Sequence, residues 1–455
     1  VIPASSAACL FAVGDDDQNI YAFAGASVKY IRQFQEDYQA RLFYLTQNYR
    51  STKNIIRAAN VLIDGPRNRM KSGHPIVIDG ARQKEPEGGL WEDLDPIGRG
   101  RVQVLNVDGA ETAQAEQVMA EMLRLSRLDS QWIWNNTAVI ARQWKQLQPV
   151  YAYCQASNIP AQLADYDAPQ FWRLRETQLL VEWLSKRGPN LLNPAELDVF
   201  LKQQSTGPWW ELLREAIDSY RLECGDIPLP ALHLKEWLAE WGREIRKRQR
   251  GLLLVTAHRV KGLEFDHVAI LDGKWQEHGR DEDPDASRRL YYVAMTRARK
   301  TLTLASMPQS GGPDNRLQEL PGVFVRNAPP PVMPSRELER QYIALTPAHV
   351  DLGFAGRFSP RNILHRKLKH LQPGDALQLL RENEQWVLEH NGSIVGRLAR
   401  SFTPPPKLCC TLARVHAILV RFRGDSDPIY AESINCDRWE VVIPELVFAI
   451  PPVNH

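Results

Sequence analysis

Short apolar runs that stop at a glycine or a polar turn alternate with stretches of helical period along the first third of the chain. "CLFAV" (9–13) ends at Gly14, as a buried parallel strand would. "RLFYLTQNYRS" (41–51) is a second strand-then-turn, and Ser51 is placed to cap the helix "TKNIIRAANVLI". Residues 64–100, rich in Gly, Pro and mixed charge, read as a long excursion. "RVQVLNV" and "NTAVIAR" are strands, and the helix between them (110–127) lines up Ala115, Val118, Met122 and Leu125 on one face. A helix near 144–156 follows. This alternation predicts an α/β domain, a parallel sheet with helices on both faces.

The pattern then breaks. Residues 172–250 carry helical signals, among them Leu234, Trp237, Leu238, Trp241 and Ile245 at helical spacing, ending in "REIRKRQR". Strand patterns resume at "GLLLVTA" (251–257), "HVAIL" (267–271) and "TLTLA" (301–305), so a helical block is inserted into the α/β domain. "APPPVMP" (328–334) marks a linker. Beyond 358 the texture is that of a small, mainly β domain, with "QWVLEHNGSIVGRLARSF" as a hairpin on an Asn-Gly turn.

Bulk composition narrows the class only a little. At 455 residues the chain has room for roughly two to four domains. Hydrophobic residues at 44% and charged residues at 24% are ordinary for a globular protein. The net charge of +2 exerts no global pull on nucleic acid, so any such binding must come from local patches. No apolar run approaches the ~20 residues of a membrane span, and no membrane association is expected. The six cysteines form no C-x-x-C pair, which argues against a zinc site and fits a reducing, cytoplasmic setting.

Four stretches carry chemistry: "GDDDQNIYAFAGA" (14–26), "LTQNYRS" (45–51), "VTAHRVKGLEFDHVAIL" (255–271) and "RRLYYVAMTRARKTLTL" (288–304). Each adjoins a strand end, where α/β folds place ligand groups. Together they supply a glutamine, an aromatic ring beside an arginine, a Lys-Gly-Leu-Glu turn and a Thr-Arg pair. That inventory suits a nucleoside triphosphate: a ring to stack on a base, a carboxylate for a ribose hydroxyl, and arginines for a γ-phosphoryl group.

In order and spacing, these stretches resemble the late motifs of the UvrD/Rep family of superfamily-one DNA helicases, and "T-H-KGLEF" is the most specific of them. The resemblance implies the following roles. Gln18 senses the γ-phosphate; Tyr49 stacks on adenine; Arg50 and Arg297 contact the γ-phosphate, Arg297 as an arginine finger. Glu264, on the turn with Gly262, holds the ribose, and Thr256 and His258 lie near single-stranded DNA. Tyr21 and Phe23 stack on bases. The cofactors implied are ATP and Mg2+, and the partners are single-stranded DNA and duplex junctions, with movement 3′→5′. Residues 1–34 would be a remnant of a first RecA-like domain. Residues 35–171 and 251–327 would form the second, with 172–250 a helical insertion, 328–357 a linker and 358–455 a β accessory domain.

Two departures stand out. Ala24 replaces the arginine usual in the first motif, and no G-x-x-x-x-G-K-[ST] phosphate loop or magnesium-holding Asp-Glu element occurs. The expectation is a carboxy-terminal part of a longer or split helicase, inactive as an ATPase alone, with the magnesium ligands in the missing first domain. The alternative is a non-catalytic nucleic-acid-binding or scaffolding protein. Blander readings stand beside the sharp ones. Asp15–Asp17 could be a solvated turn or a metal cluster, Tyr21 and Phe23 could pack a core, and Trp237 and Trp241 could be core rather than platform. Arg243, Arg246, Lys247, Arg248 and Arg250 could be a solvated helix end, and the basic tail either a nucleic-acid module or a partner-docking domain.

Overall fold

The computed structural model describes residues 10–20, 27, 29–65, 69–164, 169–187, 191–244, 249–275, 285–308, 315–333 and 335–451. In chain order the elements used below are α1 (Lys29–Tyr38), α2 (Lys53–Ile63), β1 (Val102–Asn106), α3 (Glu111–Ser126), β2 (Thr137–Ala141), α4 (Trp144–Ala156) and β3 (Ala161–Leu163). Four helices follow: α5 (Arg175–Ser185), α6 (Pro194–Lys202), α7 (Pro208–Cys224) and α8 (Ala231–Glu244). Then come β4 (Leu252–Thr256), β5 (Phe265–Ile270), α9 (Ala286–Met295), β6 (Ala298–Ser306) and β7 (Val323–Asn327). The last part holds β8 (Gln341–Ala344), α10 (Ile363–His370), β9 (Ala376–Glu382), β10 (Gln385–His390), β11 (Ser393–Arg397), β12 (Cys409–Phe422) and β13 (Arg438–Ala449).

These elements form two units, one of residues 1–164 with 249–338, the other of 165–248 with 339–455. The first is built on a seven-stranded sheet in the order β7-β1-β6-β5-β2-β4-β3, parallel throughout. Its strands are continuous apolar runs because both faces are covered: Ala138 to Ala141 and Leu254 are fully buried. The α3 face expected from its period is the buried one, with Ala115, Val118 and Met122 at 0% exposure.

Two apolar segments read as strands do not join this sheet. Residues 10–13 form no strand, and within 41–51 only Gln47–Asn48 pairs, with Val77–Ile78. Ser51 does not cap α2. Thr52 occupies that position, and the Ser51 hydroxyl donates to the Ala298 carbonyl at 2.7 Å.

The second unit joins two parts expected to be separate domains. Its six-stranded antiparallel sheet, order β8-β13-β12-β9-β10-β11, has an apolar face that needs cover. The inserted helices provide it: Leu174, Leu184, Leu213 and Leu238 share one core with Leu388, Ile418 and Leu446. Leu174 also bridges to Leu419, the Trp209 indole donates to the His416 carbonyl at 2.8 Å, and Arg173 grips Asp425 at 2.6 and 2.7 Å. Within this unit Trp241 is 4% exposed and Trp237 donates to Glu223, so the tryptophan stripe packs rather than presenting a platform. The expected hairpin is β10–β11, and its Asn391-Gly392 turn has φ of +47° and +70°, the left-handed pair a type I′ turn requires.

Candidate functional site

Among the described residues of the first unit, a cavity of about 880 Å³ opens where "QNYR" meets the starts of β5 and β6. Tyr49, Arg50, Glu264, Asp266, Arg299 and Lys300 line it, together with Arg82, Glu85 and Trp91 from the 64–100 excursion. Tyr49 is 69% exposed, and its hydroxyl donates to Gln47 at 2.7 Å, which leaves the ring face open. Glu264 bridges two guanidiniums, those of Arg50 and Arg299. Arg50 also donates to the Thr296 carbonyl at 3.2 Å, and burial lowers its pKa. Lys300 pairs with Asp266 at 3.0 Å and Arg82 with Glu85 at 2.9 Å. The carboxylate that the family resemblance assigns to ribose is therefore engaged by arginines here, and a polyphosphate would compete for the same guanidiniums.

Arg297 sits beside this cavity but does not line it. The residue is 3% exposed, in the turn between α9 and β6. Its guanidinium donates to the Val293 carbonyl at 2.9 Å, the Leu263 carbonyl at 3.1 Å and the Thr296 hydroxyl at 3.1 Å. Burial, and then the charge of Arg50, push its pKa down to about 10. A guanidinium free to point into a cleft was expected; the structure shows one that braces the turn carrying Glu264. Gly262 in that turn has φ +88°, a conformation glycine adopts without strain.

Thr256 and His258 are elsewhere. Thr256 ends β4 and is level with Ala141 of β2, while Glu264 precedes β5. Counting along the paired registers, Thr256 lies about 20 Å up the sheet from the start of β5. His258 lies beside Arg142, whose guanidinium is 3.2 Å from Nδ1. The nucleotide-type residues are thus at the amino edge of the parallel sheet and the Thr-His pair at its carboxyl edge. Ligands of α/β sheets commonly bind at the carboxyl edge, so the cavity at the amino edge is a departure that strand patterning could not signal.

The acidic triad of the first motif is largely buried and engaged by cationic side chains, with its carboxylate oxygens within 4.8 Å of one another. Asp16 and Asp17 are 5% and 1% exposed. Arg69 holds Asp17 in a fork at 2.8–2.9 Å, Lys71 reaches Asp15 at 2.7 Å, and the Met70 amide donates to Asp16 at 2.6 Å. The Gln18 side chain donates to Asp15 at 2.8 Å, and its backbone carbonyl accepts from Lys261 at 2.9 Å, tying the first motif to the Lys-Gly-Leu-Glu turn. Tyr21, Phe23 and Ala24 lie outside the described residues, as do Arg246 to Arg248.

Sequence reasoning missed Arg69, Lys71, Arg82, Arg299 and Lys300. Arg299 and Lys300 lie two and three residues beyond Arg297 and were open to inference from proximity. The other three carry no local signal and are recruited by chain folding alone.

Comparison with known proteins places two family models on this chain: the UvrD-like helicase C-terminal domain on residues 251–305 and the UvrD/REP helicase N-terminal domain on residues 3–39. DNA helicase II of Escherichia coli is 44% identical over 373 residues, covering 64% of this chain and 51% of its own length. ATP-dependent DNA helicase UvrD2 of Mycobacterium tuberculosis is 27% identical over 348 residues, covering 70% and 46%. DNA helicase II of Haemophilus influenzae is 25% identical over 395 residues, covering 70% and 54%. The chain spans about half the length of the curated relatives it matches.

Proposed function

We propose that the chain is part of a DNA helicase of the UvrD/Rep family, a reading supported by its matches to the UvrD-like C-terminal and UvrD/REP N-terminal models and to DNA helicase II, and that its first unit supplies the second RecA-like half of an ATP-driven 3′→5′ translocase on single-stranded DNA. The observation that carries this reading is the convergence of Tyr49, Arg50, Glu264 and Arg299 on one cavity, about 20 Å along the sheet from Thr256 and His258. Such a separation lets nucleotide and strand engage opposite edges of one rigid sheet. The ring of Tyr49 offers a stacking face for adenine, and Arg50 and Arg299 offer forks for phosphate oxygens. Arg297 orients the turn that presents Glu264.

A second RecA-like domain closes on a first, and residues 10–13 and 41–45 offer a surface for it. Phe11 is 87% exposed, Val13 74%, Phe43 73% and Leu45 79%. These are strand-type segments without a sheet, and an α/β domain that pairs with them would bury them. The phosphate loop and the magnesium ligands belong to that partner domain in this reading. Among the described residues Asp15–Asp17 cluster their carboxylates, but Arg69 and Lys71 already neutralise them, so no step is assigned to a metal on this chain.

The test joins this chain in one polypeptide to a phosphate-loop domain of a curated relative and measures ATP hydrolysis at saturating single-stranded DNA. Arg50→Ala should lower kcat by about 10³-fold, the scale of a γ-phosphate arginine, with nucleotide-free DNA binding unchanged. A wild-type fusion that binds DNA without hydrolysing ATP would favour the scaffolding alternative.

A further inference from the structure

Strand β6 carries one residue more than its partner where it passes the cavity. Ala298 is level with Phe265 of β5 and Thr301 with His267, so three steps along β6 face two along β5. Consecutive side chains of a regular strand point to opposite faces. The bulge lifts that alternation, and Arg299 and Lys300 both line the cavity. The bulged segment is fastened in place: the Ala298 carbonyl accepts from the Ser51 hydroxyl at 2.7 Å and the Arg299 carbonyl from the Thr52 amide at 3.1 Å. The two residues that follow Arg50 therefore hold the segment that presents Arg299.

The bulge sets three cations, Arg50, Arg299 and Lys300, around two carboxylates. Arg299 pairs with Glu264 and lies 3.8 Å from Asp266, while Lys300 pairs with Asp266 at 3.0 Å. Both oxygens of Glu264 are engaged, Oε1 by the Arg299 guanidinium and Oε2 by Nε of Arg50. Charge-assisted bonds of this kind are about twice as strong as neutral ones, so a sugar hydroxyl does not displace them by itself. A polyphosphate can, because it competes for the guanidiniums rather than for the carboxylate. Arg299 has room to answer it: its side chain is 43% exposed, and Asp266 offers it a second counter-charge. Arg299 is also outside the set of residues to which the family resemblance gives a role.

Resting on the nucleotide reading of this cavity, we infer that Arg299 is a specificity-determining latch. It keeps Glu264 from sugar hydroxyls until a polyphosphate draws the guanidiniums away. The cavity then recognises the sugar only of a phosphorylated nucleotide, and a free nucleoside meets a carboxylate that is already taken. Sugar and phosphate subsites are coupled through one ion pair.

The experiment titrates the whole chain with adenosine and with inorganic tripolyphosphate, separately and together, by isothermal calorimetry. In the wild type, saturating tripolyphosphate should tighten adenosine binding about tenfold, and adenosine should tighten tripolyphosphate binding by the same factor. Arg299→Gln without tripolyphosphate should bind adenosine about tenfold more tightly than wild type, and tripolyphosphate should then add less than about twofold. In a Glu264→Gln background Arg299→Gln should bring adenosine no gain, because no carboxylate is left to release. A gain of equal size in both backgrounds overturns the latch. So does wild-type adenosine binding that ignores tripolyphosphate, a result that needs no variant to fold. Those outcomes leave the nucleotide reading of the cavity standing, whereas a wild-type chain that binds neither probe removes that reading and the latch together.

Discussion

Arg297 shows how far a side chain's chemistry depends on its neighbours. Its fork fills three acceptors on two different segments, Val293 and Thr296 at the end of α9 and Leu263 in the Glu264 turn. Lysine has one nitrogen and cannot span them. Arg297→Lys should therefore destabilise the first unit by about 1–3 kcal/mol in urea unfolding, the cost of buried acceptors left without donors. In the fused, hydrolysing polypeptide it should also lower kcat, through misplacement of Glu264. An unchanged unfolding midpoint would remove the bracing role. His267 makes a second prediction. It is 2% exposed, stacks on Trp132 at 3.9 Å, and burial pushes its pKa down to about 3. The unfolded imidazole titrates near 6.5, so below that pH the unfolded chain binds a proton the folded one refuses. Stability should fall as the pH drops from about 6.5 toward 3, by a few kcal/mol in all. The difference between wild type and His267→Gln in unfolding free energy, measured across that window, should shrink as the pH falls. A constant difference would contradict it.

At the scale of elements, the joint between the first motif and the segment after α2 is an ion-paired clip. Arg69 and Asp17 have side chains only 6% and 2% exposed, so each depends on the other. Asp17→Asn leaves a buried guanidinium short of its counter-charge and should cost about 3–5 kcal/mol, whereas Asp17→Asn with Arg69→Met should recover much of that. Additive losses in the double-mutant cycle would mean the two residues act separately. The elements themselves were largely readable: α3, β2, α4, β4 and the β10–β11 hairpin sit where period and turn chemistry predict. Their signals are local, since a helix face or an Asn-Gly turn is decided within a few residues. Segments 10–13 and 41–45 have the same strand pattern but lie exposed, because a strand exists only where a neighbour supplies its hydrogen bonds.

For the whole molecule, the second unit decides which pieces can live alone. Residues 165–248 and 339–455 share one core, so cleavage in the 328–334 linker should not release a folded tail. A fragment of residues 339–455 expressed alone should lack a cooperative thermal transition, and adding residues 165–248 should restore one. A sharp transition from the tail by itself would refute the shared core. The sequence by itself determined the α/β class, the parallel strands, the motif residues and the family resemblance, because apolar period, turn residues and motif spacing are properties of neighbours along the chain. Only the tertiary structure decided that Arg69 clips the acidic turn, that Arg82 and Trp91 line the cavity beside Glu264, that this cavity opens at the amino edge of the sheet, and that the inserted helices complete the tail. Those contacts join residues tens to hundreds of positions apart. Their partners are selected by which surfaces remain to be buried once the sheets have formed, and no local pattern encodes that choice.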